Sequence, residues 1–144
     1  MKTKKTESGR SMVEIVGVLA VMGLITAGAF VLITSGMATQ KRNTVADDVG
    51  NIVQVYRSVF AEGKTFDNAG SVQGKMGVPT TNPYNGSYTV AGSGSTLTVT
   101  IKGLPADDCT VLQARGWSGI KNNPACVADG ETGLQQLALE YGFN

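Results

Sequence analysis

The chain contains no histidine. That removes the commonest general base and the commonest metal ligand together. Cysteine is held to two residues, Cys109 and Cys126; without histidine they make a poor zinc site. There is no glycine-rich phosphate loop, no HExxH, no G-x-S-x-G and no CxxC. Net charge is also scarce, at +1 over 144 residues. Bulk electrostatics therefore give no reason to expect a nucleic-acid partner. Two carboxylate pairs, Asp47-Asp48 and Asp107-Asp108, stand where a solvated helix face and a helix start are expected, not where catalysis is. A calcium site among Asp107, Asp108, Asp129 and Glu131 would be unspecific. The expectation is a non-enzyme with no cofactor and no metal.

What the chain has in plenty is apolar sequence without charge. Ile15 to Thr39 runs 25 residues with neither an ionisable side chain nor a proline. As a helix it would span roughly 37 Å, enough to cross a hydrocarbon core of about 30 Å. A buried helix in a water-soluble domain is the other reading of such a run, but globular helices seldom stay apolar all round for so many turns. Lys2, Lys4, Lys5 and Arg10 precede the run, against Lys41 and Arg42 after it. The positive-inside tendency then keeps the amino terminus cytoplasmic and exports the rest. The two cysteines both fall in the exported part. In an oxidising compartment they are most simply one disulfide, closing a loop of about 18 residues.

Beyond Thr39 the pattern becomes amphipathic. Val45, Val49, Ile52, Val53, Tyr56, Val59 and Phe60 recur at spacings of three and four, while Asp47, Asp48, Asn51, Gln54 and Ser58 fall mostly on the other side. Glu62-Gly63-Lys64 is the expected stop. The run and the stripe read as one helix of about 48 to 52 residues, roughly 75 Å: a lollipop whose first half is apolar all round and whose second half lies on a small head. Residues 64–84 read as loop with a short helix near Ala69 to Met76. Tyr88, Val90, Leu97, Val99 and Ile101 alternate with threonines and Lys102, the period of two. Gly92-Ser93-Gly94-Ser95 is the expected hairpin turn. Pro105, Asp107 and Asp108 suit the start of a short helix carrying Cys109. Trp117 is expected near the disulfide, Gly116 to Gly133 as loop, and the tail LQQLALEYGF as a late strand in preference to a helix. The fold class is α+β.

Gly9-Arg10-Ser11-Met12-Val13-Glu14 resembles the prepilin signal of type IV pilins. Their basic leader ends in a glycine, cleavage follows it, and the fifth mature residue is a glutamate. Residues 1–9 match the leader, Gly9 the glycine before the cut, Arg10 the new amino terminus and Glu14 the glutamate. The leader holds three lysines and one glutamate, so its loss leaves a net charge of −1. NPYNGSYTV, then a strand into GLPADDC and a second cysteine, is similar to the heads of type IVb pilins, whose disulfide staples a carboxy-terminal loop. The chain departs from the common pattern in beginning its mature part with Arg10 and in having Val31 where many pilins place a proline.

The resemblance implies the following. A prepilin peptidase cuts after Gly9 and methylates the new terminus. Residues 10–39 are the membrane half of the helix, which becomes the filament core. Residues 40–144 are the head, with the amphipathic helix at 40–62, strands at 84–102 and the disulfide loop at 109–126. Glu14 pairs with a neighbour's amine, since a carboxylate among apolar helices needs an opposite charge. Gly23, Gly28 and Gly36 are weak points at which the helix can stretch, glycine costing about 1 kcal/mol against alanine. The product is a homopolymeric extracellular pilus for adhesion, aggregation or conjugative contact, built from an inner-membrane precursor by an assembly platform and a separate ATPase. A minor pilin, or a pseudopilin of type II secretion, shares the amino-terminal signal. A different class of reading is an uncleaved single-span membrane protein with a periplasmic binding head.

Overall fold

The computed structural model describes residues 8–60, 65–130 and 132–143, and the backbone alone of residues 8–11. Most of the leader, the Glu62-Gly63-Lys64 stop and Glu131 lie outside these. The chain divides into two compact units, Met1–Thr39 and Gln40–Asn144. Helix α1, Ser8–Val59, runs without a break through 52 residues and belongs to both.

In the second unit α1 packs on a four-stranded antiparallel sheet, and the fold is α+β as the sequence indicates. After α1 come α2 (Ala69–Val72), a 3₁₀ turn (Gln73–Lys75), β1 (Tyr88–Ser93), β2 (Thr96–Leu104), α3 (Ala106–Ala114), β3 (Cys126–Ala128) and β4 (Gln135–Gly142). The strand order is β1-β2-β4-β3. The core lies between α1 and the inner face of the sheet. Val45, Val49, Ile52, Val53 and Tyr56 meet Tyr88, Val90, Leu97, Val99, Ile101, Leu137, Leu139 and Tyr141, all buried. The helical spacing of three and four supplies one side, and the strand spacing of two the other. Tyr56, Phe60, Phe66 and Phe143 continue the core as a chain of rings with successive centroids 5.8, 5.2 and 5.0 Å apart.

Several expectations are corrected. Val59 sits on the expected stripe yet is 48% exposed, while the next residue, Phe60, packs between Tyr56 and Phe66 in the ring chain. The hairpin turn is shorter than Gly92 to Ser95. Gly92 pairs with Leu97 and Ser93 with Thr96, leaving a two-residue turn in which Gly94 takes φ +56°, as glycine does at the first central position of a type II′ turn. The stretch from Gly116 to Gly133 is not all loop, since β3 pairs with β4 through Cys126–Leu137, Val127–Gln136 and Ala128–Gln135. The tail, by contrast, is a strand as expected, and it inserts between β2 and β3.

The Asn82-Pro83-Tyr84 turn is held by one buried side chain. Asn82 Oδ1 accepts from the Tyr84 and Gly86 amides, both at 3.0 Å, and its Nδ2 donates to the Lys102 carbonyl at 2.7 Å. This docks the turn on the irregular stretch of β2 between Ile101 and Leu104. The approach is so close that a Cβ on Gly86 would strike the Lys102 carbonyl.

Candidate functional site

The first unit offers a surface where the second offers a core. From Met12 to Met37, fifteen large apolar side chains are exposed, from 51% at Val18 to 76% at Leu24. Their burial is worth on the order of 20 kcal/mol at the low end of the usual range. A whole domain is stable by only about 5–15 kcal/mol. Water is therefore an unfavourable surrounding for a surface of that size. By length and composition α1 is long and apolar enough to cross a membrane.

The polar groups of the run agree with an apolar surrounding. Its four hydroxyls all bond back into the helix: Thr26 to Met22 O at 2.7 Å, Thr34 to Val31 O at 3.0 Å, Ser35 to Leu32 O at 3.0 Å and Thr39 to Ser35 O at 3.2 Å. No hydroxyl there needs water, which is the condition a spanning segment must meet. This was not foreseen from the sequence, although serine and threonine at helical positions carry the signal.

Gly9 and Arg10 lie in the first turn of α1. Glu14 is exposed on the same helix, just before the uncharged run. Gly23, Gly28 and Gly36 lie inside α1 with open space around each, so none is there for close packing within the chain. Cys109 and Cys126 are joined, with Cα atoms 6.0 Å apart; Cys109 is wholly buried. Trp117 donates from Nε1 to Leu112 O at 2.8 Å and packs on the core at the end of α3.

The aspartates read as solvated are partly engaged. Arg42 Nε meets Asp108 Oδ1 at 2.5 Å in a part-buried pair that ties α1 to α3. That bond holds the guanidinium above its ordinary pKa. Asp48 accepts the Tyr88 hydroxyl at 2.8 Å, tying α1 to β1. Lys41 Nζ stands 5.5 Å over the Tyr84 ring, and Arg115 donates to Asn43 Oδ1 at 3.2 Å. The Tyr84 hydroxyl itself is buried without a hydrogen bond. These contacts fasten the start of the second unit. Among the described residues no three His, Cys, Asp or Glu side chains gather as metal ligands. None of these pairings was visible in the sequence, since they join residues 40 to 72 positions apart.

All four tyrosines of the chain have raised pKa values. Burial is the main cause in each, with the Asp48 bond adding at Tyr88 and the Asp108 charge at Tyr84. Unfolded tyrosines ionise near pH 10. The stabilisation is thus whole below about pH 10 and is lost as pH rises beyond it, because the unfolded chain then sheds protons that the folded one keeps. In an alkaline titration, tyrosinate absorbance should stay absent through about pH 10 and then rise together with loss of near-ultraviolet dichroism. A gradual rise around that pH with dichroism intact would contradict this.

Comparison with protein families, with characterised proteins and with solved structures finds no match for this chain.

Proposed function

We propose that this chain is a structural subunit of a type IV-like pilus, nearer the IVb kind. The observation that carries the reading is the exposed apolar length of α1, its hydroxyls satisfied internally, with a lone carboxylate at its lip. The precursor waits in the inner membrane with its amino terminus in the cytoplasm. Cleavage after Gly9 frees Arg10. The helix then exchanges lipid for neighbouring helices, so its apolar surface stays covered throughout. Glu14 is the one ionisable group between Met12 and Thr39. Paired with a neighbour's terminal amine it sets the axial step, because a subunit out of register leaves a buried charge unmatched. The disulfide-closed head faces outward, in keeping with an oxidising compartment.

Glu14→Ala tests the pairing. The variant should insert in the membrane and be cleaved as the parent is, yet yield no surface filaments. Normal filaments from it would sink the mechanism.

The exposed run also favours a second reading, an uncleaved single-span protein, since a bilayer alone would cover it. On that reading the leader is retained and Glu14 is dispensable. A processed chain that stays in the envelope would mark a minor pilin or a pseudopilin.

A further inference from the structure

A sheet edge is a template for another strand, and proteins block it. With strand order β1-β2-β4-β3, one edge is β1. At the other, β3 covers β4 only at residues 135–137, which would leave Ala138 to Glu140 bare. Both places are closed by the same means. Gln73 Nε2 donates to Tyr88 O at 2.8 Å, and its Oε1 accepts from the Val90 amide at 3.2 Å. Asn122 Nδ2 donates to Ala138 O at 3.0 Å, and its Oδ1 accepts from the Glu140 amide at 3.0 Å. Each carboxamide thus takes the carbonyl of one residue and the amide of the residue two further on, as the backbone of an added parallel strand would.

The neighbouring backbone completes each closure. On β1 the Tyr88 amide donates to Thr80 O at 2.9 Å, and Phe66 donates to Gly94 O at 2.9 Å. Phe66 lies so close to Gly92 that a Cβ there would strike its backbone. On β4 the Lys121 amide donates to Glu140 O at 2.7 Å, and Ile120 bridges Tyr141. The outer edge of β3 is only three residues long, and its Cys126 is tethered to α3 by the disulfide.

We propose that Gln73 and Asn122 are edge plugs that deny strand addition by a second copy of this chain. A chain with so long an exposed apolar helix is gathered with its fellows, in a bilayer or in a fibre, and the heads then meet at high local concentration. An open β1 or β4 would offer them a competing, sheet-mediated route to aggregation. The inference goes beyond the pilus reading and holds under either function proposed above.

The test uses the full chain in detergent micelles, with Gln73→Leu and Asn122→Leu to remove each plug. Gln73→Glu and Asn122→Asp lose the same donor but set a charge on the edge, which by itself discourages strand addition. Hydrogen exchange at Val90 should quicken about tenfold in Gln73→Leu, and at Glu140 in Asn122→Leu, for the loss of their bonds. The leucine variants should form sedimenting, thioflavin-positive aggregate well below their melting temperature, and the carboxylate variants should stay dispersed. Leucine variants as dispersed as the parent would overturn the proposal, as would equal aggregation of the leucine and carboxylate variants. Should the leucine variants unfold, the parent decides: Val90 and Glu140 amides exchanging as fast as an open loop overturn it, and slow exchange at both supports it.

Discussion

Cys109→Ser lowers the stability of the head by about 3 kcal/mol. The bond closes a loop of about 18 residues, and removing it returns that much entropy to the unfolded chain in the loop-closure account. Two features of the site add to the loss. Cys109 is fully buried, so the new hydroxyl has to find a partner in an apolar setting. The bond is also the covalent tie between α3 and β3. For a head of this size the melting temperature should fall by roughly 10–20 °C. Thermal melts of parent and variant in detergent, with and without reductant, provide the check. Reductant should bring the parent close to the variant and leave the variant unchanged. Equal melting of parent and variant would contradict this.

Asn82→Ala comes next, with an expected loss also near 3 kcal/mol. Its side chain is 6% exposed and makes three hydrogen bonds, to the Tyr84 and Gly86 amides and the Lys102 carbonyl. A typical bond contributes about 1 kcal/mol net, and abandoning buried partners costs more. Alanine leaves the Lys102 carbonyl and the two amides without this partner. Asn51→Ala is the control. Asn51 is exposed on α1, and its replacement should change stability by no more than about 0.5 kcal/mol. Urea or thermal unfolding of the three proteins compares the effects. Similar stability for Asn82→Ala and Asn51→Ala would mean that the turn is not held in the way described.

How much of this was legible in advance follows from the range of each interaction. The unbroken helix was, because a run of 25 uncharged residues and a stripe at Val45, Val49, Ile52, Val53 and Tyr56 are local patterns. The hairpin was, because Tyr88 to Ile101 alternates with a period of two. The disulfide was, there being one pair to choose. What escaped was long-range. Arg42 with Asp108 and Tyr88 with Asp48 are set by where α3 and β1 dock on α1, and no local periodicity encodes that. Gln73 and Asn122 are ordinary loop residues in the sequence and become edge partners only once the strand order exists. Strand β3 is three residues long, too short for alternation to show. At the candidate site, the apolar surface and Glu14 were visible in the sequence. The inward-bonded hydroxyls of Thr26, Thr34, Ser35 and Thr39 needed the helix to be built.

The central claim is that this chain is cut after Gly9 and assembled into a surface fibre. It is tested most directly by the intact mass of the protein in filaments sheared from the cells. The account predicts a mass that begins at Arg10, heavier by one methyl group and lighter by the two hydrogens of the Cys109–Cys126 bond. A full-length chain held in the membrane, with none in the sheared fraction, would contradict it.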